Sequence, residues 1–474
     1  MFDIELDREG EENLYKQIYQ QIKAEILEDR YTPDSKMPSI RKLAARLGVN
    51  NETVVKAYDL LAEEFLIYKK EGSGSYIAPA AGYKSNKDDQ RLRILSSKES
   101  SVNRIIDFSG SQNNREYMPE YAFDLVFDQF YSKFQGNIFK EIDFKSNQWF
   151  CFLKDIVDSF EHKALYYNSR SELIMVLELL IQKNDLLLFE SPSDLGPFAH
   201  FLTIDNEIGE ENNFEKPEFL KLKNADYEVL MDYLRENKID YLILSDEPVF
   251  ANVLSWSISK LKSLFELAEM LKFKIIIFES YYLFGKNEKI ETLLNSSFKN
   301  NLILIRELSN KVFPGLDSGV VFLAESNYYE EESNLNKNLL EDKYRSLSAG
   351  DQLLENVLSY YLEKSYLNKR TKLLKQRIKN RNLLLKDELH KSFRDIEVKC
   401  SQTAFYSILY LEQQLDQKAF NKFSEKTGVL LADYRNFLID AKSNQVILST
   451  AALDQFSIRQ GVVKLAKIYR QYLS

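Results

Sequence analysis

The sequence predicts a fold of two unequal parts. The first is a winged helix-turn-helix of the α+β class, and the second is a large α/β domain with a smaller C-terminal α+β subdomain. Two short amphipathic segments near the N-terminus flank a Gly-containing turn and precede two strand-like segments. Apolar strand-like runs then alternate with helical ones, which is typical of a mainly parallel sheet. The last part turns helical and strongly charged before two more strand-like runs.

The composition indicates a soluble globular chain of two or three domains. The chain has 474 residues, of which 44% are hydrophobic and 28% are charged. A formal net charge of −9 argues against a protein that coats nucleic acid or an anionic membrane, although it permits a local basic face. Cys151 and Cys400 are far apart and the histidines are scattered, so we expect no metal site and a reducing compartment.

No targeting or membrane segment is expected. The start, MFDIELDREGEE, is acidic and lacks the apolar stretch of a signal peptide. The longest apolar runs, such as residues 275–278, are far too short to span a bilayer. We therefore expect a cytoplasmic protein with no membrane partner.

The first eighty residues carry the signals of a helix-turn-helix. Residues 14–27 have a helical apolar period, and Ser39 is a good N-cap for the next helix. Gly48 suits the turn that ends this second helix, and Asn50 or Asn51 can cap the third. Two strand-like segments around a Gly-Ser-Gly turn follow and would form the wing.

Basic residues cluster on the elements that would meet DNA. Residues 1–80 hold 11 Lys and Arg against 15 Asp and Glu, so the domain as a whole is acidic (11 − 15 = −4). Residues 36–56, however, contain five basic residues and one acidic residue, Glu52, and the wing adds Lys69 and Lys70. This distribution favours phosphate contacts over the alternative of a purely structural helical domain.

The same stretch resembles the GntR-type winged helix. The matching motifs are Leu14-Tyr15-x-Gln17-Ile18, Met37-Pro38-Ser39-x-Arg41-x-Leu43-Ala44, Leu47-Gly48-Val49, Thr53-Val54-x-x-Ala57-Tyr58-x-x-Leu61 and Gly72-Ser73-Gly74-Ser75-Tyr76. The resemblance implies that Ser39, Arg41, Asn50, Asn51 and Thr53 face DNA and that the wing tip at Gly74 enters the minor groove. The candidate DNA-binding residues are Lys36, Ser39, Arg41, Asn50, Asn51, Thr53, Lys56, Lys69, Lys70, Ser73 and Gly74.

One position departs from the family pattern. The family usually has Arg where this chain has Asn51. Asn pairs bidentately with adenine, whereas Arg favours guanine. We therefore expect an operator that differs from the family consensus.

Four segments are predicted along the chain. They are a DNA-binding domain (1–78), a polar and charged linker (79–104), a large α/β domain (105–338) and a C-terminal mixed subdomain (339–474). In the large domain the pattern predicts helices at 173–181 and 261–271 and strands at 186–189, 241–244, 275–278 and 302–305. In the C-terminal part it predicts strands at 405–411 and 446–449.

This order of parts resembles the MocR-type subgroup of the GntR regulators, whose large domain has the fold of a type I pyridoxal-phosphate aminotransferase. The anchors are Ile106-Asp107-Phe108, Glu190-Ser191-Pro192, Ile277-Phe278-Glu279-Ser280-Tyr281 and Ser309-x-x-x-Phe313-Pro314-Gly315-Leu316-x-x-Gly319. The resemblance implies a homodimer formed through the large domain, and two-fold symmetry suits paired half-sites of double-stranded operator DNA.

The lysine of a pyridoxal-phosphate site is displaced in this sequence. Alignment on Phe-Pro-Gly-Leu puts Asn310, after Ser309, where the family has the lysine that bonds the cofactor aldehyde. Lys311 is adjacent, but neighbouring side chains of an extended segment point in opposite directions. Two interpretations of Lys311 stay open: a surface lysine, or a cofactor lysine reached through a bulge or a shifted register.

Other roles of such a site are altered as well. Tyr281 matches the family, but Glu279 replaces the Asp that pairs with the pyridine nitrogen. Asp317 replaces the phosphate-binding Arg, and Asp194 replaces the stacking Tyr. Glu247 precedes Pro248 where the family has Asn or His-Gln, and residues 444–453 lack the Arg that grips a substrate carboxylate. Carboxylates repel a phosphate dianion, so we expect no cofactor, no catalytic residue and no enzyme activity.

One polar segment remains a candidate anion site. Asn168, Ser169 and Arg170 match the place where the family cradles phosphate. Ser169 and Glu172 form a capping box, and a helix N-terminus beside Arg170 suits an anion. Both an ordinary helix cap and a site for an anionic effector are compatible with this pattern.

These observations predict a DNA-binding transcription regulator whose aminotransferase-like domain dimerises, with sensing of an unknown small molecule as a further expectation. The alternatives are a pyridoxal-phosphate-binding regulator or aminotransferase that uses Lys311, and a large domain with no ligand. The residues of the degenerate cofactor pocket are Asn168, Ser169, Arg170, Asp194, Glu279, Tyr281, Ser309, Asn310, Lys311 and Asp317.

Overall fold

The structure is a computed structural model of the chain. It describes residues 4–8, 12–27, 31, 35–63, 66–70, 73–77, 105–110, 147–158, 163–182, 184–203, 218–223, 226–308, 311–313, 317–323, 349–363, 366–394, 396–451 and 453–473. The predicted linker at 79–104 therefore lies outside the described residues, as do Ser309 and Asn310.

The N-terminal part is a winged helix-turn-helix, as predicted. Its elements are α1 (Leu14–Leu27), α2 (Ile40–Leu47), α3 (Asn51–Glu63), β1 (Ile67–Lys70) and β2 (Gly74–Ile77). The two strands pair in antiparallel register. Ile18, Ile22, Leu43, Val54 and Leu61 are fully or almost fully buried at its centre, so the three helices share one core.

The caps of the helix-turn-helix agree with the sequence signals. The Ser39 hydroxyl accepts a hydrogen bond from Lys42 N–H at the start of α2. Gly48 ends α2 in the left-handed conformation, with φ at 61°. Of the two candidates for the α3 cap, Asn50 lies just before the helix, and its side-chain oxygen accepts from Glu52 N–H.

The large domain is built on a seven-stranded sheet with helices on both faces. Its elements are β3 (Ile106–Asp107), α4 (Gln148–Asp158), β4 (Lys163–Tyr167), α5 (Arg170–Leu180), β5 (Leu186–Ser191), α6 (Ala199–Thr203), β6 (Glu218–Lys223), α7 (Tyr227–Glu236), β7 (Tyr241–Ser245), α8 (Ile258–Leu271), β8 (Lys274–Glu279), α9 (Glu288–Leu294), β9 (Leu302–Glu307) and β10 (Gly319–Leu323). The sheet order is β4-β10-β9-β8-β7-β5-β6, and within it only β10 runs antiparallel to its neighbours.

Both faces of this sheet are apolar because its central strands are buried on both sides. Along β8, Ile275 and Ile277 belong to one apolar cluster, whereas Ile276 and Phe278 belong to the cluster on the opposite face. This is the expected consequence of side-chain alternation in a strand covered by helices on both faces. The predicted mainly parallel sheet is confirmed.

The C-terminal part forms a smaller α+β subdomain. Its elements are α10 (Ala349–Glu363), α11 (Tyr366–Ser392), β11 (Glu397–Cys400), β12 (Tyr406–Asp416), α12 (Gln417–Lys426), β13 (Val429–Leu430), β14 (Lys442–Ser449) and α13 (Gln455–Leu473). Strands β11, β12 and β14 form an antiparallel sheet. The strands predicted at 405–411 and 446–449 correspond to β12 and β14.

The segment at residues 105–110 joins this C-terminal subdomain. Strand β3 pairs in parallel with β13, and Phe108 is buried in the same apolar cluster as Leu385 and Val462. The segment was predicted to open the large α/β domain, yet its strand pairing lies outside the central sheet. The four predicted segment boundaries as such stay predictions.

Among the helices that the structure describes, none is both long enough and apolar enough to cross a membrane.

Candidate DNA-binding face and effector cavity

The helix-turn-helix exposes most of the side chains predicted to meet DNA. Lys36, Ser39, Arg41, Asn50, Asn51 and Lys56 are exposed, and Thr53 is half-buried. Of these, Lys56 forms an exposed ion pair with Glu52, at 3.5 Å between Nζ and Oε1. Such an exposed pair contributes little to stability, so Lys56 can exchange it for a phosphate contact.

The turn between α2 and α3 is held by a residue that the sequence did not single out. An Arg8 guanidinium N–H donates to the carbonyls of Leu47 and Gly48, at 3.0 and 3.1 Å. These carbonyls belong to the C-terminal end of α2, where a cation is favourable. Arg8 thereby fixes the angle between the two helices that present the DNA-facing residues.

The wing lies next to the start of α2. Lys36 forms an isolated antiparallel bridge with Tyr76, and its Nζ lies 5.8 Å from the centroid of the Tyr76 ring. The hydroxyls of Ser73 and Tyr76 are 2.6 Å apart, which orders the wing turn. Lys36 thus lies beside Ser73 and Gly74 of the wing. The Lys69 and Lys70 positions are in β1, and their side chains lie outside the described part of the chain.

A second candidate site is a cavity of about 410 Å³ at the carboxyl ends of the central strands. This edge of a parallel sheet is the usual position of ligand sites in α/β folds. The C-terminal subdomain closes the cavity from the other side. Its described lining consists of Ser109, Gly110, Arg170, Asp194, Gly196, Ala199, Phe278, Glu307, Lys311, Tyr406, Leu430, Leu431, Asp433, Asn436 and Phe437.

Lys311 reaches into this cavity. Its side chain is 13% exposed, and its Nζ lies 4.0 Å from Glu247 Oε2. The ammonium group also lies 5.4–5.7 Å from the ring centroids of Phe405, Tyr281 and Tyr406. Aromatic faces and a carboxylate both stabilise a cation, so this lysine occupies a site built for a positive charge.

The charge state of Lys311 follows from its neighbours. Burial acts to lower the pKa of Lys311, but the charges of Glu247, Asp194 and Glu307 outweigh it and raise the pKa above its ordinary value. Several acids share this role, and together they favour the protonated form of the lysine.

Glu247 is fully buried and connects Lys311 to Tyr281. The Tyr281 hydroxyl donates to Glu247 Oε2 at 2.5 Å and accepts from Phe405 N–H at 3.0 Å. Glu247 Oε1 has no hydrogen-bond partner among the residues that the structure describes. Burial raises the pKa of Glu247 to about 8, against the lowering effect of the Lys311 charge.

Asp194 and Glu307 add two further carboxylates to the cavity wall. Asp194 follows β5, and its Oδ1 accepts from Gly196 N–H at 3.0 Å. Glu307 is the last residue of β9 and is 9% exposed. Burial raises the pKa of Glu307 to about 7; Lys311 lowers it, and Asp317 raises it further. The wall is therefore acidic around one buried lysine.

Glu279 takes part in a buried ion network away from this lysine. Arg306 Nε donates to Glu279 Oε2 and Arg306 Nη2 donates to Glu291 Oε1, both at 2.6 Å. Side-by-side pairing of Glu279 and Arg306 on β8 and β9 brings the two together. Burial raises the pKa of Glu279, and the Arg306 charge opposes this rise.

The N-terminus of α5 is closed by its own capping box. The Ser169 hydroxyl accepts from Glu172 N–H, and the Glu172 carboxylate accepts from Asn168 N–H at 3.0 Å. Arg170 donates to the Gly196 carbonyl at 2.7 Å. The Ser169 half of the predicted capping box is confirmed, whereas Glu172 binds the N–H of Asn168, one residue before the N-cap. A carboxylate therefore lies at the helix end that would hold a phosphate.

The comparisons with known proteins match this architecture in two parts. Residues 14–77 match the family described as bacterial regulatory proteins, gntR family. A probable rhizopine catabolism regulatory protein, MocR, of Rhizobium meliloti is 36% identical over 73 residues. That match spans 15% of this chain and 15% of the length of that relative.

Two further matches extend over most of the chain. The uncharacterized HTH-type transcriptional regulator YcxD of Bacillus subtilis is 24% identical over 468 residues, which cover 91% of this chain and 94% of that protein. The kynurenine aminotransferase of Pyrococcus horikoshii is 16% identical, with a TM-score of 0.58 over 81% of this chain and 97% of its own chain. The chain fits the MocR-type subgroup of the GntR regulators. The aminotransferase comparison shows the fold alone.

The position of Lys311 corrects one interpretation of the sequence. A surface lysine was one expectation, and it is wrong because the side chain is largely buried in the cavity. The alternation argument assumed an extended segment, whereas Lys311 stands in a turn. Asn310, which occupies the aligned lysine position, and Ser309 before it lie outside the residues that the structure describes.

Several described residues have contacts that differ from the roles expected of them at a pyridoxal-phosphate site. Glu279, the candidate partner of the pyridine nitrogen, is occupied by Arg306. Lys311 is held as an ammonium by acids, whereas bond formation with an aldehyde needs a neutral amine. Glu172 closes the helix end expected to hold the phosphate, and Glu307 adds negative charge to the same cavity.

Some residues of the cavity were missed by sequence reasoning. Arg306 and Glu307 are the last two residues of an apolar strand. Charged residues at the end of such a strand could have identified them from the sequence. Asp246, which lies outside the cavity lining, is half-buried and accepts hydrogen bonds from the N–H groups of Ser280 and Tyr281. Tyr406 and Phe437 come from the C-terminal subdomain, and no local motif marks them.

No cluster of His, Cys, Asp or Glu that could hold a metal ion occurs among the described residues.

Proposed function

We propose that this protein is a sequence-specific transcription regulator whose aminotransferase-like domain has lost pyridoxal-phosphate chemistry and serves as a dimerisation and effector-binding module. The DNA-binding part of this proposal is supported by the GntR-type winged helix and by the relatives named as regulators. The exposed basic and polar residues on α2, on α3 and beside the wing supply the contacts that DNA requires.

The loss of cofactor chemistry is supported mainly by one observation. The lysine in the cavity is an ammonium group that faces Glu247 and aromatic rings. An enzyme of this fold would need that amine to lose its proton easily, and the acidic wall opposes this. The Glu279–Arg306 pair supports the same conclusion from the other side of the pocket.

Dimerisation and effector binding complete the proposal. A two-fold dimer formed through the large domain would place two winged helices on paired half-sites. A cavity of about 410 Å³ is large enough for a small metabolite, so effector binding at this position would couple metabolism to transcription.

Selection of bound DNA from fragmented genomic DNA tests the regulator function. We expect enrichment of a discrete site protected by the full-length protein in a footprint. Asn51→Ala should lower affinity for that site by about 1–3 kcal/mol while leaving non-specific binding almost unchanged, because Asn51 is placed to read a base.

Two matched variants complete this experiment. Arg41→Ala should weaken binding to all sequences and reduce its salt dependence, because Arg41 is expected to contact phosphate. Lys262→Ala removes an exposed charge on α8, far from the winged helix in sequence, and should change nothing. Equal operator affinity of Asn51→Ala, Arg41→Ala and the unmodified protein would contradict the proposal.

A second candidate function is a pyridoxal-phosphate-binding regulator or aminotransferase that uses Lys311. One observation favours it: Lys311 Nζ lies inside the cavity at the strand ends. Titration with pyridoxal phosphate followed by borohydride reduction separates the two candidates. A covalent adduct on Lys311 is expected only for the second candidate.

A further inference from the structure

Carboxylates outnumber cations around the cavity. The described wall carries three acidic side chains, Asp194, Glu307 and Asp433, and two basic ones, Lys311 and Arg170. The formal charge of this wall is therefore negative (2 − 3 = −1), and the carboxylates of Glu247 and Asp317 interact with Lys311 and Glu307 from outside it. Any molecule that fills the cavity enters a negative field that low-dielectric walls intensify.

Glu307 is the carboxylate that this arrangement leaves unsatisfied. It lines the cavity and is 9% exposed. In the part of the chain that the structure describes, no donor makes a hydrogen bond or ion pair with its carboxylate. A buried carboxylate without a partner is costly, so Glu307 gains strongly from a cation brought by a ligand.

The two basic side chains are engaged elsewhere. Lys311 Nζ lies 4.0 Å from Glu247 Oε2, within its group of aromatic rings. The Arg170 guanidinium donates to the backbone carbonyl of Gly196 at 2.7 Å. Among the described residues, neither forms an ion pair with Glu307, which lines the cavity.

The remaining wall suits an organic cation. Tyr406, Phe437 and Leu430 line the cavity and supply aromatic and aliphatic surface. The ring of Tyr406 already lies 5.7 Å from the Lys311 ammonium, so this part of the protein stabilises positive charge through aromatic faces. A ligand with an apolar body and one charged nitrogen would use both the rings and Glu307.

We propose that the cavity binds a small organic cation, an amine or a guanidinium compound, with Glu307 as the carboxylate that pairs with its charged nitrogen. This inference rests on the proposed function, because the cation would be the effector of the regulator. The proposed ligand is a cation, whereas the sequence around Arg170 suggested an anionic ligand. An anion is disfavoured there because Glu172 closes the helix end.

Three isosteric probes of different charge test the proposal. They are 2-phenylethylammonium, the neutral 2-phenylethanol and the anionic 3-phenylpropanoate, titrated into the full-length protein by isothermal calorimetry at pH 8. This pH lies above the pKa of about 7 that burial gives Glu307, so its carboxylate is ionised. Agmatine serves as a second, guanidinium-containing probe. We expect saturable binding of the two cations and affinity that falls in the order cation, neutral, anion.

Charge-removing variants locate the binding site. Glu307→Gln should weaken binding of 2-phenylethylammonium by about tenfold or more, because a charge-assisted hydrogen bond is lost. Asp194→Asn keeps the acceptor for Gly196 N–H and should weaken binding less. Asp194→Asn also provides an independent test if Glu307→Gln does not fold. Glu269→Gln, an exposed change on α8, is the matched control and should leave binding unchanged.

Arg170→Gln decides the sign of the ligand charge. Removal of this cation should leave binding of 2-phenylethylammonium equal or tighter, whereas an anion site would lose affinity. The proposal is overturned if neither cation binds, if the anionic probe binds more tightly than its cationic isostere, or if both Glu307→Gln and Asp194→Asn bind the cation like the unmodified protein.

These outcomes are independent of the regulator function. Calorimetry is performed without DNA, and operator binding is measured separately with Asn51→Ala. Loss of cation binding with intact, Asn51-dependent operator binding overturns only the effector inference. Absence of a specific DNA site overturns the proposed function itself, whatever the calorimetry shows.

Discussion

Glu190 links proton binding to stability at the end of β5. Its carboxylate is buried and accepts hydrogen bonds from the N–H groups of Asn252 and Val253, both at 3.1 Å. Burial raises the pKa of Glu190 to about 7, while these hydrogen bonds and the Lys399 charge act to lower it. The folded protein therefore holds a proton on Glu190 at pH values where the unfolded chain has released it.

The sign of the effect follows from this difference. Between the pKa of an unfolded-state Glu, about 4.3, and the folded value, the folded state binds more protons, so stability falls as pH rises. Between pH 5 and pH 8, the unfolding free energy of Glu190→Gln should fall less than that of the unmodified protein. The difference between the two falls should be up to roughly 3 kcal/mol. Urea unfolding at several pH values measures this. Glu269→Gln is the exposed control, and equal slopes for both variants would contradict the assignment.

At the residue scale, sequence reasoning identified positions better than orientations. It placed Asp194, Lys311 and Glu279 in one pocket region, and the structure brings Asp194 and Lys311 to one cavity. It misjudged the direction of Lys311, because a turn replaces the extended segment that it assumed. It also had no means to foresee that Arg306 binds Glu279, since this contact depends on the register of two strands.

Gly319 is required at the start of β10. The strand lies between β9 and β4, where Gly319 is paired with Glu307 and Tyr167. A Cβ at this position would overlap the Arg306 carbonyl and the Tyr167 hydroxyl. The carbonyl is backbone inside the sheet, so the contact cannot be relieved by a side-chain rotation.

Gly319→Ala should therefore destabilise the large domain by about 1–3 kcal/mol, the usual cost of overpacking a buried site. Denaturant unfolding followed by circular dichroism measures the change. Glu269→Ala places the same methyl group on the exposed face of α8 and should stay close to the unmodified protein. Unchanged stability of Gly319→Ala would show that β10 is packed less closely than in this structure.

At the element scale, the helices and strands with a regular apolar pattern were predicted well, whereas the pairing between distant strands was not. The bounds of α1 agree with the predicted 14–27, and each strand predicted in the central sheet lies within an observed strand. The partner of β3 was not predictable, because β3 is two residues long and pairs with β13, more than 300 residues later in the chain. A local pattern carries no information on such a distant contact.

At the whole-molecule scale, the account predicts a dimer that binds paired half-sites. Two winged helices related by a two-fold axis would protect two half-sites centred about one helical turn, or a multiple of it, apart. Sedimentation should give a dimer mass, and the footprint should show two related sequences in inverted arrangement. A monomer that protects one isolated half-site would contradict this arrangement.

The order of the domains was accessible from the sequence, whereas the cavity between them was not. Motifs and periodicity predicted a winged helix followed by an aminotransferase-like domain, and the matches agree with that order. The cavity combines Asp194, Glu307 and Lys311 from the strand ends with Tyr406 and Phe437 from the C-terminal subdomain. Such a combination exists only after both parts have folded against each other.

The central claim is that the large domain retains the aminotransferase fold without its cofactor chemistry. The most direct test is an absorbance titration of the purified full-length protein with pyridoxal phosphate, followed by borohydride reduction and peptide mapping. The account predicts no saturable absorbance band of a lysine adduct and no reduced pyridoxyl group on Lys311. A stoichiometric band with the pyridoxyl group on Lys311 would contradict it and would establish a regulator that still binds the cofactor covalently.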